Sequence, residues 1–129
     1  MKRLALLVLA FILLGSLVGC NSKPSNISEQ HYSYGKKAIE IADKYIDYEI
    51  NAEEAYKQIQ ELQSRSEELP ETKVGDSDHG RNFGIEIEVS VLSSSLSRAK
   101  WNPSQDNFQS VVEARNKIAQ YIGVSQRKG

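Results

Sequence analysis

The chain has 129 residues, of which 40% are hydrophobic and 26% are charged, and its formal net charge is −1. A chain of this length builds one domain with one modest core, which excludes a separate second domain. The slightly acidic balance argues against a nucleic-acid-binding protein, which would carry a basic patch or stripe.

The first twenty residues have the layout of an export signal. Lys2 and Arg3 form a basic head, residues 4–14 form an apolar run, and small residues follow. That order is typical of a secretory signal peptide. The apolar run is shorter than the roughly 20 residues that a spanning helix needs, so an uncleaved membrane anchor is only the alternative interpretation.

This segment closes with Leu17-Val18-Gly19-Cys20. The four residues resemble the lipobox of bacterial lipoprotein precursors. The resemblance implies that residues 1–19 are a signal peptide cut between Gly19 and Cys20, and that the Cys20 thiol is acylated, with palmitate as the expected lipid. It also implies an exported protein held in the cell membrane. Because Cys20 is the only cysteine, the exported domain contains no disulfide.

Residues 20–33 are predicted to be the lipidated cysteine and a flexible tether. The segment is polar, contains Pro24 and His31, and offers no apolar face to bury. Asn21 follows the cysteine where an inner-membrane retention mark would be Asp. The lipoprotein resemblance therefore implies the outer membrane if the host has two membranes.

Residues 34–124 are predicted to form an all-α domain, in which two antiparallel helical hairpins pack as a small bundle. The first helix is expected to run from Tyr34 or Gly35 to about Glu49. Apolar side chains recur there every three or four positions, which is the helical period. They are Ile39, Ala42, Ile46 and Ile50.

A second helix is expected to begin after Asn51. Asn51 and Glu54 have the spacing of a capping box, in which each side chain satisfies a backbone amide near the helix start. Pro70 is expected to end this helix. Because few residues separate the two helices, they should fold back on each other as an antiparallel hairpin. The stripe of the second helix is Ala55, Ile59, Leu62, Ser66 and Leu69.

The turn between these helices places Asp47, Glu49 and Ile50 before the helix start at residues 52–55. The order resembles a hairpin turn of small, mostly uncharacterised bacterial proteins, in which an Asp-Gly-Glu-Ile turn precedes an Ala-Glu-Glu-Ala start. Tyr48 stands where that pattern has glycine. The resemblance implies a helical hairpin and nothing about activity.

Residues 85–91 allow two interpretations. Their apolar residues alternate with polar ones, as in a half-buried strand. At helical spacing an equally good stripe continues further along the chain: Ile85, Val89, Leu92, Leu96 and Ala99. Because no second strand-like segment is available for pairing, a helix is preferred. Three helices with a strand-like third segment is the alternative fold.

The last helix is expected to be capped by Asn102, with Pro103 at its first position and Gln105 in the capping-box position. Gly123 is typical of a left-handed helix stop. The basic residues 125–129 are predicted to be a disordered tail. The stripe of this helix is Phe108, Val111 or Val112, Ile118 or Ala119, and Ile122.

Metal-capable side chains crowd together only at Asp76, Asp78 and His79. A calcium loop would need glycine at its sixth position and Glu at its twelfth, and this segment has neither. A zinc site would need further His or Cys ligands. The three residues are therefore weak metal candidates, a solvated loop is the preferred interpretation, and no cofactor is expected.

No catalytic signature accompanies the two histidines. His31 and His79 lie far apart in sequence, without a recognisable nucleophile motif near either. The chain is therefore predicted not to be an enzyme.

Aromatic side chains gather around the first hairpin and offer a second candidate site. They would suit a contact surface, because Tyr combines contact area with a polar tip. The preferred interpretation is structural, with Tyr45 and Tyr56 lining the hairpin and Trp101 covering one end of the core. The group comprises Tyr32, Tyr34, Tyr45, Tyr48 and Tyr56.

The function that these observations favour is a membrane-anchored, non-catalytic interaction or envelope-associated module. Its expected partners are the membrane, through the lipid on Cys20, and an envelope protein or a cell-wall component, but no nucleic acid. One alternative is a small-ligand or metal-binding accessory lipoprotein using the loop at residues 76–79. Another is an immunity or phage-exclusion lipoprotein, which rests on analogy alone.

Overall fold

The computed structural model describes residues 23–129, so the signal peptide, the cleavage site at Gly19 and the lipidation site at Cys20 lie outside the described residues. Residues 23–129 contain no β-strand. Their helices are α1 (Glu29–Ile46), α2 (Ala52–Gln63), α3 (His79–Trp101) and α4 (Gln105–Ile122), with a 3₁₀ turn at Ser66–Glu68 between α2 and α3.

The four helices form an up-down-up-down bundle, which confirms the prediction of two antiparallel hairpins. Helices α1 and α3 each pack against both α2 and α4 and lie diagonally across the core. The α1–α2 and α3–α4 connections meet at one end, which we call the distal end. Residue 23 lies at the opposite, proximal end, where Pro24 approaches Gly123.

The core is aliphatic and draws on all four helices. Burying each of its larger side chains contributes roughly 1.5–3 kcal/mol to folding. Alanines on α1 allow the neighbouring helices to approach closely. The fully buried residues include Ala38, Ala42, Ile59, Ile85, Val89, Leu92, Leu96, Val111, Ile118 and Ala119.

Helix α3 carries apolar residues on two faces, which explains its strand-like sequence. Ile85 and Val89 are fully buried, whereas Ile87 and Val91 are 44% and 40% exposed. The alternation at residues 85–91 therefore comes from two helical stripes on opposite sides of one helix. The preferred helix is confirmed.

Helix α1 begins five residues before the earliest predicted start, so the predicted tether at residues 20–33 is wrong from Ile27 onward. The Ser28 hydroxyl caps the helix by accepting a hydrogen bond from the His31 N–H at 3.0 Å. Ile27 and His31 are only 3% and 1% exposed. The buried His31 continues the apolar stripe by one turn. Because histidine is polar, the apolar pattern of the sequence did not predict this first turn of the helix.

The end of α1 is a left-handed stop built on Tyr48, and the helix ends at Ile46 rather than near Glu49. The Tyr48 N–H donates to the Tyr45 carbonyl at 3.0 Å, and the Glu49 N–H donates to the Lys44 carbonyl at 2.8 Å. These are the two bonds of a Schellman motif, whose left-handed position usually holds glycine. Here it holds tyrosine, with φ of 59°.

Helix α2 begins as predicted, because Asn51 Oδ1 accepts the Glu54 N–H at 2.8 Å. The reciprocal half of the capping box is absent from this structure, since the Glu54 carboxylate accepts a hydrogen bond from Gln58 instead. The helix ends at Gln63, well before Pro70. All of residues 64–68 are exposed, so no packed face continues the helix.

Helix α3 begins at His79, so His79 lies in the first turn of this helix and not in the solvated loop that was predicted to hold it. Asn82 is fully buried, and its Oδ1 accepts the Ser28 N–H at 3.1 Å. This hydrogen bond ties the start of α1 to the first turn of α3.

The cap of α4 is Ser104, not Asn102 as predicted. The Ser104 hydroxyl accepts the Asn107 N–H at 3.2 Å. Asn102 is already engaged in ending α3, since its N–H donates to the Arg98 carbonyl at 2.8 Å. Pro103 therefore precedes the cap and does not occupy the first position of α4, which begins at Gln105.

The stop after α4 is as predicted, but the tail is not. Gly123 has φ of 74°, and the Val124 N–H donates to the Ala119 carbonyl at 3.0 Å. Residues 125–129 are packed rather than disordered. They turn back along α4, where the Asn116 side chain hydrogen-bonds to their main chain.

Candidate binding surface

The predicted metal candidates engage in local contacts instead of converging. Asp76 Oδ2 accepts the Lys73 N–H at 2.8 Å, and His79 Nδ1 lies 3.1 Å from the Thr72 carbonyl oxygen. Asp78 precedes α3 without capping it through its side chain. Within residues 23–129, no group of three or more His, Cys, Asp or Glu side chains is arranged to hold a metal ion.

The buried His31 links Ser28 to Glu86. The Ser28 hydroxyl lies 2.7 Å from His31 Nδ1, and His31 Nε2 lies 3.4 Å from Glu86 Oε1. A Ser–His–acid order is shared with hydrolytic triads. The same hydroxyl also accepts the His31 backbone N–H, which is the geometry of a helix cap three residues apart. We therefore assign these contacts to anchoring the start of α1.

Aromatic side chains concentrate at the distal end of the bundle. They come from the end of α1, the start of α2, the end of α3 and the first turn of α4, which the up-down topology brings to one end. We call this set the aromatic tip. It consists of Tyr45, Tyr48, Tyr56, Trp101 and Phe108.

One half of the aromatic tip is a stack of three rings. The Tyr48 ring lies parallel to the Phe108 ring, with centroids 5.9 Å apart, and Tyr45 meets Phe108 at 5.7 Å with tilted planes. Burial, and then the neighbouring Tyr48, raise the pKa of Tyr45. Tyr45 is half-buried and forms the inner layer, while Tyr48 is 83% exposed and forms the outer layer.

The other half is organised by a lysine. Lys100 Nζ lies 5.1 Å from the Trp101 ring centroid and 5.6 Å from that of Tyr56, which is within cation–π range. It also lies 3.6 Å from Glu53 Oε1. Trp101 is 79% exposed, so the expectation that it covers the core is wrong. As the last residue of α3, it lies beyond the packed stripe.

Tyr48 occupies a backbone conformation that tyrosine disfavours. Among residues 23–129 it is the only residue other than glycine with positive φ. The left-handed conformation costs roughly 1–2 kcal/mol for a residue with a Cβ. Strain of this kind concentrates at functional positions. The most exposed ring of the tip is therefore held at a cost to folding stability.

The structure divides the tyrosines that the sequence grouped together. Tyr34 is buried, and burial together with Glu86 raises its pKa to about 12. Tyr45 and Tyr56 are half-buried against the core, as expected. Tyr48 alone of these is largely exposed. Phe108 and Trp101 join it only through the tertiary fold, because they lie more than 50 residues away in sequence.

A scan against protein-family models finds no match to this chain, and comparisons with curated proteins and with solved structures find none either. No helix within residues 23–129 is both long and apolar enough to cross a bilayer.

Proposed function

We propose that this protein is a lipid-anchored, non-catalytic binding module that presents the aromatic tip to a partner in the cell envelope. The proposed anchor is the acylated Cys20, supported by the lipobox resemblance of residues 17–20. The partner is an envelope protein or a cell-wall component rather than a nucleic acid, which matches the chain's net charge of −1.

Tyr48 is the observation that carries this proposal. Glycine at its position would relieve the left-handed backbone, and an 83% exposed ring buries little surface in return. Its stacking on Phe108 instead fixes the orientation of a ring that faces solvent. Rigid, exposed Tyr and Trp side chains supply contact area at a low entropic cost, which suits a binding surface.

The orientation of the bundle fits an anchor at the proximal end. Helix α1 contains 18 residues and spans about 27 Å. Residue 23 lies at its proximal side, and the aromatic tip lies at the other end. A lipid on Cys20 would therefore hold the proximal end near the bilayer and direct the tip away from it.

The anchor is tested by metabolic labelling with an alkyne analogue of palmitate. We expect the full chain to be labelled and to fractionate with membranes, and the Cys20→Ser variant to lose both properties. Equal membrane fractionation of the two proteins would refute the lipid anchor, and so would a native protein that keeps Met1.

The tip is tested by photo-crosslinking in intact cells. A photoreactive amino acid at exposed Glu49, beside Tyr48, is compared with one at Val74, which is 89% exposed in the proximal loop. We expect a discrete crosslinked product from position 49 only. Tyr48→Ala should lower its yield about tenfold if this ring contributes roughly 1.4 kcal/mol to binding.

Two results would contradict the binding role of the tip. One is the same products from positions 49 and 74, which would indicate nonspecific proximity. The other is a crosslink at position 49 that Tyr48→Ala leaves unchanged. A turnover activity lost in the His79→Ala variant would contradict the non-catalytic assignment.

A further inference from the structure

Residues 125–129 are neither helical nor part of a β-sheet and lie against α1 and α4; we call this segment the strand and the surface that holds it the groove. The Arg127 N–H donates to Asn116 Oδ1 at 2.8 Å, and Asn116 Nδ2 donates to the Arg127 carbonyl oxygen at 2.6 Å. Both bonds involve the main chain of the strand. Asn116 therefore recognises an extended backbone whatever side chain the bound residue carries, as an added β-strand would be recognised.

The side chain that the groove does select is arginine. Arg127 Nη1 lies 3.2 Å from Asp43 Oδ1 and 3.0 Å from Asp47 Oδ2, and Nη2 donates to Asp47 Oδ1. The two carboxylates lie four residues apart, Asp43 in the last turn of α1 and Asp47 directly after its end, and both bond the same guanidinium. A planar guanidinium can bond both carboxylates at once, whereas a lysine ammonium acts as a point charge.

A second set of contacts comes from Arg115, a buried residue of α4. Arg115 is only 6% exposed, and its Nε and Nη2 bond the two Asp43 oxygens at 2.9 and 3.1 Å. Its remaining Nη1 donates to the Ser125 carbonyl oxygen. Arg115 thus fixes the Asp43 carboxylate and offers one more main-chain contact to the strand.

The strand is held by polar contacts at the surface of the bundle. Ser125, Gln126, Lys128 and Gly129 are exposed, and Arg127 is half-buried. Polar contacts near the surface open more readily than core contacts. Gly129 lies close against Gln109, which adjoins Phe108. A longer segment in the same groove would therefore continue onto the aromatic tip.

We propose that the α1–α4 groove is a binding site for extended, arginine-bearing peptide segments, and that residues 125–129 occupy it in competition with such a segment of a partner. The proposal deepens the proposed function by naming the chemistry of the partner. It rests on that function only for the continuation onto the aromatic tip.

The site is tested with the chain shortened after Val124 and a fluorescent peptide of residues 124–129. We expect the shortened protein to bind this peptide at least about tenfold more tightly than the intact protein, whose own strand competes. A peptide with lysine in place of Arg127 should bind about tenfold more weakly. Asn116→Ala and Asp47→Asn should each weaken binding, with helical circular dichroism unchanged.

A second peptide has alanine at every position except the arginine. It distinguishes a site for any arginine-bearing segment from a site that accepts only residues 124–129. Binding similar to that of the natural peptide supports the proposal. Binding of the natural sequence alone, or equal binding of the arginine and lysine peptides, would overturn the proposal.

If shortening unfolds the bundle, the full-length Arg127→Ala variant replaces the shortened protein. Failure of that variant to bind the arginine peptide counts against the site. None of these results depends on Cys20 or Tyr48, so the proposed function can fail or stand separately.

Discussion

At the scale of single residues, Tyr48 has an unfavourable backbone conformation and an exposed ring that buries little surface to offset it. Its backbone closes α1 with the hydrogen bonds of a Schellman motif, yet φ of 59° is unfavourable for a side chain with a Cβ. The stacking of its ring on Phe108 offsets part of that cost. A folding requirement alone would favour glycine at this position.

Comparing Tyr48→Gly with Tyr48→Ala isolates the strain. Both changes remove the ring and its stacking, but only glycine relieves the left-handed backbone. We expect the Gly variant to be more stable than the Ala variant by about 1 kcal/mol, measured by urea unfolding monitored through circular dichroism. Equal stability of the two variants would show that the backbone at residue 48 is not strained.

At the scale of helices, α3 shows that one apolar run can serve two faces. Ile85 is fully buried and contacts the core, whereas Ile87, two residues later, is 44% exposed. The stripe that faces solvent consists of Phe83, Ile87 and Val91, spaced four residues apart. Core packing on one side of the helix does not require this second stripe.

Paired alanine substitutions on α3 measure the difference between its faces. Ile85→Ala should lower the free energy of unfolding by about 2–5 kcal/mol, because it leaves a cavity in the core. Ile87→Ala should change it by about 0.5 kcal/mol or less. Similar losses at the two positions, measured by urea unfolding, would indicate that the outer stripe is covered in solution.

Helix periodicity made much of the bundle predictable from sequence, because the core is apolar and the helices are amphipathic. Local signals also placed the Asn51 cap and the Gly123 stop correctly. The start of α1 was missed because His31 is a polar residue at a buried position. The cap of α4 was misplaced because Asn102 and Ser104 are both suitable residues, and only the packing of α3 decides between them.

The candidate sites were less predictable, because distant segments build them. Tyr48 stacks on Phe108, and Arg127 bonds Asp43 and Asp47 at the end of the first helix. No local pattern in the sequence reports such contacts. The sequence offered one signal for the aromatic tip, which was Tyr48 at a position where the resembling turn has glycine.

At the scale of the whole molecule, the docked strand joins the first and last helices. Hydrogen bonds from Arg127 are the main cause that lowers the pKa of Asp47 from its ordinary value of 3.8, against an opposing effect of desolvation. Asp43 accepts a hydrogen bond from the same Arg127 guanidinium. Arg115 in turn donates a hydrogen bond to the Asp43 carboxylate. The docked state thus favours the charged Asp47.

Acid should therefore release the strand before it unfolds the core. Because docking lowers the pKa of Asp47, its contribution is complete above pH 3.8 and is lost as the pH falls through the docked value. We expect the protection factors of the amides at residues 126–128, which correct for the slower intrinsic exchange in acid, to fall below that pH while α3 stays protected. In Asp47→Asn the strand should exchange faster even at neutral pH. A strand that stays protected until the helices unfold would contradict this view.

The path of the last five residues has a practical consequence for anyone who adds a reporter to this protein. A fluorescent or affinity fusion joined at Gly129 would emerge beside Gln109, the neighbour in sequence of Phe108 in the aromatic tip. The exposed loop at Val74 and Gly75, at the other end of the bundle, offers an insertion point that leaves the aromatic tip open.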